Sequence, residues 1–390
     1  MTITCPSCLT ENPDTEIQCI VCGNQLQPQT NTGIHLPPGT TLKNGLYEIV
    51  DSLGEGGFGI TYKGRSPRIP YPVAIKELLP ERSARQGKLL VWSHTIPPQE
   101  RQKLLYRYRQ EAAYLRACQH PSIVEVHDWF QENDTAYMVM RFIQGKTFAQ
   151  VIKEQTYLPE TTVRNYAIKI ALALEIAHNQ NLLHRDIKPD NIIINDQRDP
   201  VLIDFGSARE FTPDVAQDLT QYVTPGYAPP EQYSKISKWG PYTDFYALCA
   251  TLYEAITGIA PPDSISRLQQ DTLIPPRQIR QEISPMMDRI IMEGLKIDSR
   301  QRYQSTTELL DELQGRPRLL RRAREAVQAQ KLSDAVQLYE QCLHHNPELA
   351  IAAIEVAMVH SHLNPDPQTT LSYCQRAIQL APKTGELMAF

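Results

Sequence analysis

An α+β fold is predicted for this 390-residue chain by three patterns met in order along it. Two CxxC pairs stand within the first 22 residues, β-branched and aromatic runs flank a glycine-rich turn between Leu46 and Lys76, and helical periodicity sets in at Thr161. The first implies a small metal-bound module, the second a strand-rich unit and the third a helical unit. A net charge of −5 leaves no global basic field to draw the chain to nucleic acid or anionic membrane. The most apolar stretches, Tyr166 to Ala177 and Tyr246 to Ala260, are interrupted by Lys169 and Glu175 and by Glu254, so no membrane span is expected. The first thirty residues lack the charged-then-apolar order of a secretion signal, and a cytoplasmic location is expected.

Cys5-Pro-Ser-Cys8 and Cys19-Ile-Val-Cys22 are knuckles whose spacing suits structural zinc. Each CxxC turn directs two thiolates at one tetrahedral ion, and two turns close a Cys₄ shell with no open position. Residues 1–26 are too few to fold on apolar burial, so the metal supplies their folding energy. A pair of redox-active dithiols is the competing reading, although no thioredoxin-like βαβ pattern adjoins it. Residues 1–42 contain no Lys or Arg, which argues against nucleic acid as the partner of this module. Cys118, Cys249, Cys342 and Cys374 sit singly in apolar helical patterns and read as small buried hydrophobes. Residues 27–45, rich in Gln, Asn, Thr and Pro at their start, read as a linker.

Gly54-Glu55-Gly56-Gly57-Phe58-Gly59 alone would fit a dinucleotide-binding turn as well as a phosphate flap. A dinucleotide fold needs a helix next, whereas Ile60-Thr61-Tyr62-Lys63-Gly64 reads as a strand; strand–loop–strand is therefore expected. Val73-Ala74-Ile75-Lys76 adds a strand that carries a cation. Further on, His184-Arg185-Asp186, then Lys188 and Asn191, then Asp204-Phe205-Gly206 compose a phosphoryl-transfer site. Such chemistry needs one carboxylate to orient the attacking hydroxyl, a carboxylate and a carboxamide to hold Mg²⁺, and a cation near the transferring phosphate.

These motifs resemble the protein kinase superfamily, specifically bacterial Ser/Thr kinases of the eukaryotic type, over residues 46–313. The resemblance implies a two-lobed fold, with a small β-rich lobe at 46–142, a helical lobe at 143–313 and ATP in the cleft. It assigns Lys76 to the α- and β-phosphates, paired with Glu111 on the small-lobe helix. Glu100 is nearer in sequence but falls in the first turn of the helical pattern, and residues 80–106 look like an insertion. Asp186 is expected to act on the substrate hydroxyl, Lys188 to steady the γ-phosphate, and Asn191 and Asp204 to ligate Mg²⁺ or Mn²⁺. The ATP site would comprise Leu53, Gly54, Glu55, Gly56, Gly57, Phe58, Gly59, Thr61, Ala74, Lys76, Met140, Phe142 and Ile193. Lys188 within HRDxKPxN resembles Ser/Thr and not tyrosine kinases, so protein Ser/Thr hydroxyls are the expected substrates.

In the same resemblance, residues 204–231 form the activation segment. Thr224 would contact Asp186 and Lys188, Glu231 would pair with Arg302, and Asp244 would brace the catalytic loop. Arg185 could bind a phosphorylated residue of the segment, with Thr220 the first candidate and Ser207, Thr212 and Tyr222 behind it. The four-cysteine module in front makes the arrangement similar to cyanobacterial four-Cys kinases. A scaffold with a kinase fold and no transfer is the rival class, but its signature, loss of a catalytic residue, is not met. Control of the kinase through oxidation of the cysteine cluster is a third reading.

Residues 316–390 are expected to form a tetratricopeptide-like helical module that binds a protein partner. Ala335, Tyr339, Cys342 and Pro347 keep the spacing of the second half of such a repeat, and Thr370, Cys374, Ala377 and Pro382 echo it 35 residues later. Arg316, Arg318, Arg321, Arg322 and Arg324 crowd its start and read as a solvated helix face, with an acidic-partner site as the alternative.

Overall fold

Alternating side chains build the sheet of the first unit. Tyr47 and Ile49, Ile60 and Tyr62, Val73 and Ile75, and Tyr137 and Val139 each lie two residues apart, and all bury on one face with Leu36, Leu42 and Phe130. The computed structural model describes residues 2–4, 10–13, 20–21, 33–56, 59–80, 82–204, 209–210, 223–234, 237–315, 318–345, 349–363 and 367–380. Cys5, Cys8, Cys19, Cys22, Gly57, Phe58, Thr220, the alternatives Ser207, Thr212 and Tyr222, and Pro347 and Pro382 lie outside them. The chain divides into units 1–144 and 145–390. The tail thus groups with the helical part.

In the first unit, β1 (Thr2–Thr4) and β2 (Glu11–Pro13) make an antiparallel hairpin. Then come β3 (Thr41–Leu42), β4 (Tyr47–Gly56), β5 (Gly59–Ser66), β6 (Ile69–Leu78), β7 (Ala84–Gln86), β8 (Leu89–Val91), α1 (Pro98–Ala117), β9 (Val126–Glu132) and β10 (Thr135–Arg141). The main sheet is antiparallel in the order β3-β4-β5-β6-β10-β9. Strand–loop–strand around the glycines is what the structure has, and Gly59 is needed there. Its φ is +156°, and a Cβ would lie 1.9 Å from the Glu77 carbonyl oxygen.

Two features differ from the sequence reading. The insertion ends at Pro97, because α1 begins at Pro98 with Pro97 as N-cap and Glu100 in its first turn. The remainder of the insertion is ordered by the β7–β8 hairpin. Arg85 of β7 pairs with Glu77 at 2.6 Å, their side chains 1% and 0% exposed, and the Tyr62 and Tyr137 hydroxyls donate to the same carboxylate at 2.8 and 2.9 Å. Burial and that carboxylate hold both phenols above their usual pKa. The second difference is the linker, whose residues from Ile34 onward lie along the sheet: Leu36, Thr40 and Leu42 are buried, and Gly39 and Thr40 exchange backbone hydrogen bonds with Ile49.

The second unit opens with β11 (Gly145–Thr147), α2 (Phe148–Gln155), α3 (Glu160–Asn179), β12 (Leu182–Leu183), β13 (Ile192–Asn195), β14 (Pro200–Leu202) and β15 (Arg209–Glu210). Helices α4 (Pro241–Thr257), α5 (Ser264–Gln269), α6 (Pro276–Ile279), α7 (Pro285–Gly294) and α8 (Thr306–Leu313) follow. The periodic set Val163, Tyr166, Ala167, Ile170, Ala171, Leu174 and Ala177 forms the buried face of α3. Helix α4 is buried nearly all round and forms the centre of this unit. Gly294 lets α7 approach it, since a Cβ there would sit 2.1 Å from Cys249 Sγ. Cys118, Cys249 and Cys342 are buried, Cys374 is half-buried, and burial pushes the Cys249 thiol up to about 12.

The tail is α9 (Arg318–Gln328), α10 (Leu332–His345), α11 (Ala350–Leu363) and α12 (Pro367–Leu380). They share a core that includes Leu320, Ala323, Ala335, Tyr339, Cys342, Ala353, Val356 and Ala377. Its small residues permit close helix approach. The arginines are not merely solvated: Arg321 pairs with Glu308 of α8 at 3.3 Å, and Arg324 pairs with Glu355 of α11 at 2.5 Å. Their acidic partners belong to this chain. No helix among the described residues is long and apolar enough to cross a membrane.

Candidate active site

In the second unit the loop through His184, Arg185 and Asp186 is pinned from below. Asp244, fully buried on α4, accepts the backbone N–H groups of His184 and Arg185 at 2.9 and 2.8 Å, and His178 Nε2 lies 2.8 Å from its Oδ2. Burial alone would raise this carboxyl; the His178 hydrogen bond, the two imidazoles and the Arg185 N–H outweigh it and hold the group below its usual range. His178 was not among the residues singled out from sequence. Its signal is a polar ring closing an apolar helix six positions before His184. Burial holds the His184 pKa down, and its Nδ1 accepts the Asp186 N–H at 3.3 Å. Arg185 adopts φ +70°, an unusual conformation for a non-glycine residue, and Gln232 Nε2 donates to its carbonyl at 2.8 Å.

Four side chains converge above that base. Thr224 Oγ1 donates to Asp186 Oδ1 at 2.9 Å, and Asn191 Nδ2 donates to Asp186 Oδ2 at 2.8 Å. Lys188 Nζ lies 2.9 Å from Asp186 Oδ2 and donates to Thr224 Oγ1 at 3.0 Å. The carboxylate is therefore oriented from both oxygens while its side chain stays 18% exposed, open to a reactant. The Ile203 N–H donates to the Asn191 carbonyl at 3.1 Å, which fastens the residue before Asp204 to Asn191. The hard oxygens of Asn191 and Asp204 have the donor chemistry Mg²⁺ requires.

Glu231 and Arg302 close the floor with bonds of 2.6 and 3.1 Å, their side chains 8% and 0% exposed. Thr243 Oγ1 donates to the same carboxylate, and Arg302 also donates to the Lys296 and Ile297 carbonyls. Every polar atom of this buried pair thus has structural work, which is the condition for burying charge. Arg185, expected to be available to a phosphate, packs its guanidinium 3.8 Å from the centre of the Trp239 ring.

In the first unit, β6 carries Lys76 between Thr61 of β5 and Met138 of β10. Lys76 Nζ lies 3.9 Å from Glu111 Oε1, an ion pair longer than a hydrogen bond, with both side chains 9% exposed. Glu111 shares the buried face of α1 with Tyr108, Ala112 and Leu115, and the Tyr108 hydroxyl donates to the Lys76 carbonyl at 2.7 Å. That bond sets the helix against the strand that bears the lysine. Ala74 stands opposite Met140, which is buried, while Lys63 lies over the ring of half-buried Phe142. Leu53 is exposed on the flap, and Ile193 of β13, in the second unit, is half-buried.

A family model described as "protein kinase domain" matches residues 47–360, and the chain belongs to that family. Its relatives are serine/threonine-protein kinases. A protein of Clostridium perfringens named as a probable serine/threonine-protein kinase is 30% identical over 69% of this chain and 38% of its own length. Serine/threonine-protein kinase PknA of a Nostoc species is 31% identical over 69% of this chain and 47% of its own. A solved structure titled PpkA-294, apo form, is 32% identical, covers 72% of this chain and all of that one, and superposes with a TM-score of 0.63. The chain spans half or less of the length of these curated relatives.

Proposed function

We propose that this chain is an ATP- and Mg²⁺-dependent protein kinase that transfers the γ-phosphate to Ser and Thr hydroxyls of proteins. The observation that carries the reading is the convergence of Lys188, Thr224 and Asn191 on the Asp186 carboxylate. Asp186 orients the attacking hydroxyl and takes its proton as the oxygen bonds to the γ-phosphorus and the bond from that phosphorus to the β-phosphate oxygen breaks, releasing ADP. Lys188, already beside that carboxylate, sits where it can neutralise charge on the transferring group. Asn191 and Asp204 would hold Mg²⁺, which when bound offsets phosphate charge. Lys76, kept in place by Glu111 and by the Tyr108 bond to its backbone, serves the α- and β-phosphates. Catalysis of this kind is positioning plus charge compensation, which explains why so much of the hydrogen bonding fixes Asp186 and its backbone.

The test is transfer from ATP with Mg²⁺ to the protein itself and to a generic Ser/Thr substrate, comparing wild type with Asp186→Asn. Loss of a positioned base costs roughly 10²–10⁴-fold in rate. Equal rates in the two proteins would refute the assignment.

Residues 1–26 are read as a zinc ribbon held by Cys5, Cys8, Cys19 and Cys22. What supports it is the ligand spacing together with Asn12, whose side chain accepts the Ile20 N–H at 2.9 Å and donates to the Thr10 carbonyl at 2.7 Å. That ties the interior of the second knuckle to the strand after the first. One zinc per chain by elemental analysis, lost in Cys5→Ser/Cys8→Ser, is the expected result. The tail is read as a tetratricopeptide-like module for a protein partner, on the strength of its consecutive packed helices and the small residues Ala335, Cys342 and Ala377 in their core. Phosphorylation of Thr220 remains part of the proposal, with Arg185 as its binder; it requires the guanidinium to leave Trp239.

A further inference from the structure

The segment ahead of β4 makes a contact that the kinase reading does not use. Two of its backbone groups are locked: the Ile34 carbonyl accepts from Arg85 Nε, and the Leu36 N–H donates to the Tyr62 hydroxyl at 3.1 Å. Both anchors lead to Glu77, through Arg85 Nη2 at 2.6 Å and the Tyr62 hydroxyl at 2.8 Å. Because Glu77 and Leu36 are buried, water does not compete for this circuit. His35 lies between the two fixed residues, so its ring is aimed by its neighbours. Its Nδ1 is 2.8 Å from Ser52 Oγ and its Nε2 is 3.2 Å from Glu55 Oε2.

Ser52 and Glu55 bracket the second of two places where β4 loses its regular ladder, the first lying between Ile49 and Asp51. The register against β5 shifts between Ser52 and Gly54, a bulge that leaves the strand locally underbonded. Among the described residues there, Gly54 and Gly56 have nothing within 4 Å of where a Cβ would be. His35 spans the bulge from the side. A carboxylate only accepts, so Nε2 carries the proton toward Glu55, and the Ser52 hydroxyl can serve Nδ1 as donor or acceptor. The bridge therefore holds with the ring neutral or charged.

We propose that His35 is a positioning residue for the phosphate flap, a strut from the N-terminal strap that fixes β4 on both sides of its second bulge. The proposal rests on the kinase reading, in which this flap covers the nucleotide phosphates. A flap already held loses less freedom when nucleotide binds, and the affinity gains by that difference. The strap is also the continuation of the four-cysteine segment, with Cys22 thirteen positions before His35.

The experiment compares the full chain with His35→Ala and, separately, with Ser52→Ala/Glu55→Ala, which removes the same contacts from the exposed flap side. Readouts are the Mg-ATP dissociation constant by calorimetry and amide hydrogen exchange across residues 47–66 and 126–141. Partly exposed contacts of this kind are worth up to about a fivefold change in affinity. A rise in dissociation constant of about threefold to fivefold, with faster exchange confined to residues 52–61 in both variants, is expected. Unchanged exchange in residues 52–61 would overturn the proposal, and so would exchange that rises equally through β9 and β10, because His35 would then merely support the sheet. If the wild type bound no Mg-ATP, the kinase reading would fall, while the confined or unconfined exchange would still decide the strut.

Discussion

Thr224 Oγ1 donates to Asp186 Oδ1 at 2.9 Å across 38 positions of sequence, and Thr224 Oγ1 itself accepts from Lys188 Nζ at 3.0 Å. One hydroxyl thus ties Thr224 to both Asp186 and Lys188, the groups proposed to act on the substrate. A hydrogen bond to a charged group is worth about 1.5–3 kcal/mol. Thr224→Val should therefore lower kcat roughly 10- to 100-fold while leaving ATP binding near wild type. Thr224→Ser keeps the donor and should retain most of the rate. Steady-state kinetics on both variants checks this; a Thr224→Val enzyme as fast as Thr224→Ser would contradict it.

Glu231 and Arg302 make a different prediction because they lie beneath the reacting groups and are buried. Removing one partner strands the other charge out of water, at a cost of about 3–5 kcal/mol. Arg302→Met should lower the unfolding free energy of the second unit by that amount, read from urea denaturation. The residual folded fraction should still bind Mg-ATP.

Acid sensitivity follows from His184 and Asp244. His184 is held below its ordinary value of 6.5, so between the folded pKa and 6.5 the unfolded chain binds the proton and the folded chain does not. Stability is complete above about pH 6.5 and declines as the pH falls below it. Asp244, held below 3.8, adds stability that is lost only at still lower pH, with the same sign. Protonation at Nδ1 would also release the Asp186 N–H. His184→Asn offers an acceptor near Nδ1 without titrating. Unfolding free energies from pH 7.5 to 5 should fall for wild type by up to about 1.4 kcal/mol per pH unit and fall less for this variant. Parallel curves would show that His184 does not titrate on unfolding.

The grouping around Asp186 was legible because the expected chemistry fixes both type and spacing: Asp186, Lys188 and Asn191 lie within six positions, and they do meet. Glu111 was legible from helix periodicity, since it shares a face with Tyr108, Ala112 and Leu115. What escaped were the contacts remote in sequence that no motif marks, unlike Glu231 with Arg302 or Thr224 with Asp186. His35 stands in a polar stretch that has the composition of a linker, and nothing local tells that Leu36 beside it enters the core. Arg321 and Arg324 have the look of a solvated face until Glu308 and Glu355 fold against them. Arg85, among prolines and other cations, reads as surface, because fully buried arginines are rare.

Arg85 supplies the last prediction. It carries the insertion hairpin into the sheet through Glu77, and Glu77 is held by the Tyr62 and Tyr137 hydroxyls as well. The two ends of this pair should therefore respond unequally. Arg85→Met leaves a buried carboxylate with two remaining donors, so the cost should fall below the roughly 3–5 kcal/mol of a bare broken pair. Glu77→Ala leaves a buried guanidinium with the Ile34 and Lys88 carbonyls but no anion, and it opens a cavity beside two tyrosines. It should be the more destabilising change by about 1–3 kcal/mol. Thermal and urea unfolding of the two variants, with the double variant to close the cycle, measures the difference. A larger loss from Arg85→Met than from Glu77→Ala would mean that the tyrosine hydroxyls do not hold the carboxylate as their 2.8 and 2.9 Å contacts imply.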